Sequence, residues 1–245
     1  MAAKQSTEDR PGTEAPAGTE DRARLSKTAV VDQALALADA LGLDALTMRR
    51  LAQELGVTTM ALYWHFRSKD ELLTALGDRV WAEIDIELDP GADWSAQLRG
   101  LLESLVQMLR AHPCASKLLL SAKKLHSDSA LQATETALAV LQRGGFDPAH
   151  ASEIARNAMW TGLMLVMSEP GYDPGLTPEQ RAEEQRQSLI RLAMLPPGRY
   201  PCLVAAAGPM TACDEPEFHY QFGIDLFIGG VVAVADQPAA PQRGG

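Results

Sequence analysis

From Ser26 onward the apolar positions recur at helical spacing. Val30, Ala34, Leu37 and Leu41 step by four, three and four, and Gly42 stands where a helix-ending glycine belongs, which predicts a first helix. Thr47 precedes Met48-Arg49-Arg50-Leu51-Ala52-Gln53-Glu54-Leu55, a two-turn helix with a capping threonine, and Gly56 follows at once as a turn residue. Thr58 or Thr59 then caps a third short helix running through Phe66. Ser68-Lys69-Asp70-Glu71 reads as a capping box opening a long fourth helix, which carries Leu72, Leu73, Leu76, Val80, Trp81 and Ile84.

Pro90-Gly91-Ala92-Asp93 breaks the pattern, and Leu98, Leu101, Leu102, Leu105, Val106 and Leu109 restore it until His112-Pro113. Further helices are predicted at about 114–124, 128–143, 148–169, 178–194 and 216–235. Asp147-Pro148 starts one of them by a capping residue plus a first-turn proline. The Pro/Gly-rich stretches 170–178 and 196–209 read as loops or short turns. With no β alternation, the expected fold is all-α. The expected division is a disordered tail (1–24), a small helical head (25–80), a larger helical body (81–236) and a frayed end (237–245).

The net charge of −10 argues against indiscriminate nucleic-acid binding, but the charge is unevenly spread. Residues 1–21 carry −3, residues 22–80 carry +1 and residues 81–245 carry −8. Arg22, Arg24, Lys27, Arg49, Arg50, Arg67 and Lys69 can therefore form a basic face on the head while the body repels DNA, which favours a single oriented docking surface. Cys114, Cys202 and Cys213 are scattered, with neither a disulfide framework nor metal-ligand spacing, and read as reduced thiols in a cytoplasm. No metal or cofactor is expected. The longest apolar run, around Phe227 to Ala235, reads as too short to span a membrane.

Leu51-Ala52, Leu55-Gly56, Val57 and Leu62 have the spacing required by two short helices crossing at a tight turn. Ala52 is small where the second helix presses close, Gly56 can take a positive φ, and the leucines seal the inner face. The second helix can then lay its N-terminal end in a major groove, with Thr58 and Thr59 facing base edges and Arg49 reaching a guanine. Alternatively, 47–66 is a helical hairpin within a bundle, with Tyr63-Trp64-His65-Phe66 as core aromatics.

The run T-M-R-R-L-A-Q-E-L-G-V-T-T-M-A-L-Y-W-H-F-R-S-K-D-E-L-L resembles the DNA-binding domain of tetracycline-repressor-type regulators over about residues 26–80. The resemblance implies base reading by Arg49, Thr59 and Met60, with Trp64 and His65 nearby. It also implies phosphate anchoring by Thr47, Tyr63 and Lys69. Thr58-Thr59-Met60 departs from the Glu-Gln-Pro run of the tetracycline repressor subgroup, so that subgroup's operator does not carry over.

A single head of this size binds weakly, and a two-fold dimer reading a palindromic duplex operator is the usual solution. Phe218, Phe222 and Leu226, with Gly223, Gly229 and Gly230, place aromatic and small residues on one helix where another helix can approach closely. This segment resembles the last helix of the same family's C-terminal domain, which pairs with the 148–169 helix in an intersubunit four-helix bundle. An intramolecular core helix is the alternative. The body can also house an unidentified small-molecule effector, with His112, Asn157, Trp160, Met164 and Met167 as the predicted lining, although such a stripe also suits plain core. By resemblance, the effector releases DNA. A magnesium-bound tetracycline is disfavoured, since 114–121 contains no histidine.

The nearest thing to a catalytic dyad is His112 with Cys114. Their spacing does not bring two side chains together on a helix, so the chain is not expected to be an enzyme. The rival reading is a helical protein-interaction module that has lost DNA binding; Arg49, Tyr63 and Lys69 would then be unexplained.

Overall fold

A computed structural model describes residues 26–84, 91–121, 128–171, 173, 175–212 and 215–236; the two expected tails lie outside them. Among the described residues every regular element is a helix.

The head comprises α1 (Lys27–Leu41), α2 (Met48–Glu54), α3 (Thr59–Tyr63) and α4 (Lys69–Trp81). Each start is fixed locally by a side-chain oxygen accepting an otherwise unpaired backbone N–H. Ser26 accepts from Ala29, Thr47 from Arg50, Thr58 from Ala61 and Ser68 from Glu71, each worth about 1 kcal/mol. The box at α4 is stretched by one residue: Glu71 accepts from the N–H of Arg67 at 2.8 Å, not from Ser68. The third helix ends at Tyr63, before the expected Phe66, and Ile84 is buried just past the end of α4.

Val30, Ala34, Leu35, Ala38, Leu46, Leu51, Ala52, Leu62, Phe66, Leu72 and Leu76 form the head's share of the core. Gly42 and Gly56 both have positive φ, at +83° and +64°, turning the chain where a side chain would be strained. Leu41 corrects the helical count. It is exposed, and Leu43 and Leu46 in the following turn fill the core instead.

The body is built on α5 (Trp94–Ala111), which packs against α7 (Asp128–Arg143), α8 (Pro148–Met167) and α12 (Pro216–Ala235). α5 reaches α6 (Ala115–Ser121) through the His112-Pro113 break. Glycine permits two close approaches: Gly162 of α8 lies against Leu105 of α5, and Gly223 of α12 against Leu165 of α8. α9 (Pro178–Ala193) buries no residue of its own and packs on α10 (Pro201–Ala205) and α11 (Ala207–Thr211). These two short helices lie in the 196–209 region read as loop. Pro201 sits at the first turn of α10, where a missing N–H costs nothing, so proline starts a helix there and does not prevent one.

The hydropathy of α12 also needs correcting. Pro216–Ala235 has the length and composition of a membrane span, with mean hydropathy 1.4 over an 18-residue window, of which 22% is buried. Asp225 interrupts that window without lowering its average below that of a span, and Glu217 lies just before it.

Candidate nucleic-acid interface and effector body

α2 and α3 present a face that the other described residues leave uncovered. Trp64 is 85% exposed and Met60 68%, with Tyr63 also exposed; Met60 and Trp64 stand one turn apart. Apolar side chains this open are costly in water unless a partner covers them. Arg49 and Arg50, in the first turn of α2, are exposed beside them in sequence, and Lys69 is partly exposed in the first turn of α4.

The hydroxyls of Thr47 and Thr58 each accept from a helix N–H, and each keeps its O–H to donate. Thr59 and His65 are partly buried. Lys27, expected on the basic face, lies 3.7 Å from Glu71 and over the Phe66 ring, which ties it to the head's own structure.

The expected effector residues do not converge on one pocket. Asn157 lines a shallow groove of about 430 Å³ between α8 and α12, and its amide donates to the Glu153 carbonyl within the same helix. Met167, ten residues and about 15 Å along α8, lines a different cavity of about 830 Å³ between the end of α1 and α5, α6 and α8. Trp160 and Met164 face outward. His112 lines neither cavity: both its ring nitrogens contact carboxylates, Asp39 and Glu83, at 2.7 Å. The larger cavity has Leu41, Leu120 and Tyr220 among its walls, of which the helical pattern singles out only Leu41, and as a core position. Leu41 alone left a trace in the sequence, as an apolar residue at the very end of its helix.

Cys114 is buried, and burial together with the neighbouring Asp39 carboxylate pushes its thiol well above the usual range. A thiol so held is a poor nucleophile, and the ring of His112 is committed elsewhere.

On the body, Phe218, Phe222 and Leu226 form an exposed ridge at four-residue spacing, with the two phenyl rings stacked 5.6 Å apart. Gly229 and Gly230 face open space on the same helix. Trp160 and Met164 expose apolar surface on the adjacent α8.

Residues 30–76 match the family described as bacterial regulatory proteins, tetR family, and residues 88–235 match the tetracyclin repressor-like C-terminal domain. The chain belongs to the tetR family. It is 31% identical over 228 residues to the tetracycline repressor protein class A from transposon 1721 of Escherichia coli, covering 90% of this chain and 98% of that one. It is 30% identical over 218 residues to the HTH-type transcriptional repressor DrrR1 of Streptomyces coeruleorubidus, covering 85% and 77%. Among solved structures, ActR of Streptomyces coelicolor in complex with actinorhodin superimposes with a TM-score of 0.74 at 29% identity, covering 88% of this chain and all of that one. This TetR-family chain is a ligand-responsive, DNA-binding transcriptional repressor and not an enzyme.

Proposed function

We propose that this repressor works in the cytoplasm and reads its operator through the open face of α2 and α3. Arg49, Thr59 and Met60 meet base edges, Thr58, Trp64 and His65 flank them, and Thr47, Tyr63 and Lys69 hold phosphates. The observation that carries this assignment is the exposure of Met60 and Tyr63 on α3 and of Trp64 at its C-terminal cap, next in sequence to the arginines of α2. An apolar face ringed by cations suits a groove edged with phosphates better than it suits water.

The head (25–80) and the body (81–236) divide the work. The body dimerises through Phe218, Phe222, Leu226, Gly229 and Gly230 of α12 together with α8, and a two-fold dimer sets the spacing of two half-sites. The effector is a small organic molecule with differential affinity for the DNA-bound and released arrangements, since only such a difference can shift their balance. One relative holds actinorhodin. The supporting feature here is the cavity between α1 and the body, whose walls belong to both parts.

The test is selection from a random duplex pool with the purified chain at about 150 mM salt, where non-specific attraction is screened. A retained palindrome is the expected result. A pool that emerges without enrichment overturns the assignment of this face.

A further inference from the structure

One side-chain cluster joins the head to the body, and its members come from three separate stretches of chain. His112 follows α5, where Pro113 stops the helix. Its Nδ1 lies 2.7 Å from Oδ2 of Asp39 on α1, and its Nε2 lies 2.7 Å from Oε2 of Glu83, just beyond α4. The second oxygen of Asp39 accepts the backbone N–H of Cys114 at 3.1 Å. The second oxygen of Glu83 accepts from Arg79, whose Nε donates to Asp32 on α1 at 3.0 Å. The His112 side chain is 16% exposed. A single ring on the body therefore holds the head at both α1 and α4.

We propose that His112 is a positioning residue for operator binding, a two-armed clamp that fixes the head on the body directly through Asp39 of α1 and, at the end of α4, through Glu83 and its head-side partner Arg79. An ionised carboxylate only accepts hydrogen bonds, so two carboxylates on opposite ring nitrogens are satisfied together only when both nitrogens carry a proton. Neutral imidazole has one N–H and must let one arm go. Among the described residues, the titratable and charged groups around the ring are Asp39 from α1, Glu83 and Arg79 from the end of α4, and the Cys114 thiol leading into α6. Arg110, two residues earlier, is turned to Glu217 and Tyr220 of α12.

Burial disfavours the charged ring, but the hydrogen bonds to Asp39 and Glu83 outweigh it, and His112 titrates above its ordinary value of 6.5. The clamp is therefore whole below that value, and it loses an arm as pH rises through the raised one. A head held in place reaches DNA preorganised. A loosened one must be ordered on binding, and the operator is held more weakly.

The inference rests on the DNA-binding reading above. The test measures affinity for a selected duplex with the full chain from about pH 6 to 9, the range in which histidine switches. The wild type is expected to lose affinity about five- to tenfold with rising pH, a typical coupling between sites. His112→Arg keeps a charged donor at all pH values and should bind well throughout, with no break. His112→Gln should bind at pH 6 about as weakly as the wild type at pH 9. Asp39→Asn should move the break down towards pH 6.5.

A His112→Gln profile that superimposes on the wild type sinks the clamp and leaves operator binding standing, as does a wild-type affinity that rises through the break. If no variant retains any duplex, both readings fall.

Discussion

Two surfaces of this molecule leave large apolar side chains in water, and they differ in what surrounds them. On the head, Met60 and Tyr63 belong to a five-residue helix that Trp64 caps, preceded by two exposed arginines and followed by Lys69. On the body, Phe218, Phe222 and Leu226 run along a twenty-residue helix whose own charged residues are Glu217 and Asp225, both acids. Both acids already pair with arginines of α5, Glu217 with Arg110 and Asp225 with Arg99. Apolar exposure by itself says that a partner is missing, and the charges beside it say which kind. A short face among cations is complementary to a polyanion, whereas a long greasy ridge with its charges neutralised is complementary to another copy of itself.

The comparison breaks most visibly at Leu226. A Leu226→Asp variant is expected to sediment as a monomer and to lose more than about a hundredfold in operator affinity, because a buried unpaired carboxylate costs several kcal/mol across a symmetric interface. A dimer that persists would mean the ridge is covered by something else.

A smaller effect belongs to Arg49→Ala, which should cost about 1–3 kcal/mol against the selected operator and relax discrimination at one base position, read by repeating the selection with the variant. If the recovered motif is unchanged, Arg49 does not read a base. The mildest change is Lys69→Ala. It should weaken binding to all sequences alike and reduce the salt slope of log affinity by about one. An unaltered slope removes Lys69 from the phosphate contacts.

What the sequence made legible is what its chemistry decides locally. Thr47, Thr58, Ser68 and Asp147 each accept from a backbone N–H two or three residues on, a distance at which no tertiary information is needed. The open face of α3 was legible for the same reason, since two short helices at a glycine turn leave only one side free.

The rest depended on contacts between distant residues. The carboxylates at His112 lie 73 and 29 positions away along the chain, so its place at the junction could not be read from its neighbours, and it was assigned to an effector lining. Leu41 continues the helical period yet lies outside the core, because the chain turns at Gly42 before a neighbour can cover it. The stripe Asn157, Trp160, Met164 and Met167 does mark one side of α8, but a 20-residue helix is long enough to pass two separate cavities.

The two glycine approaches have a mechanical consequence. Where Gly162 meets Leu105 and Gly223 meets Leu165, α5, α8 and α12 are packed too closely to slide past one another without reshaping their side chains. The three helices move as one stiff block, and compliance is left to the seam where the body meets α1 and α4. That seam is stitched by directional polar bonds such as those of His112 and Asp39, and by the N–H of Ser129 on Asp78. Such bonds break and re-form over small displacements, so small relative shifts of head and body are expected to be taken up at the seam.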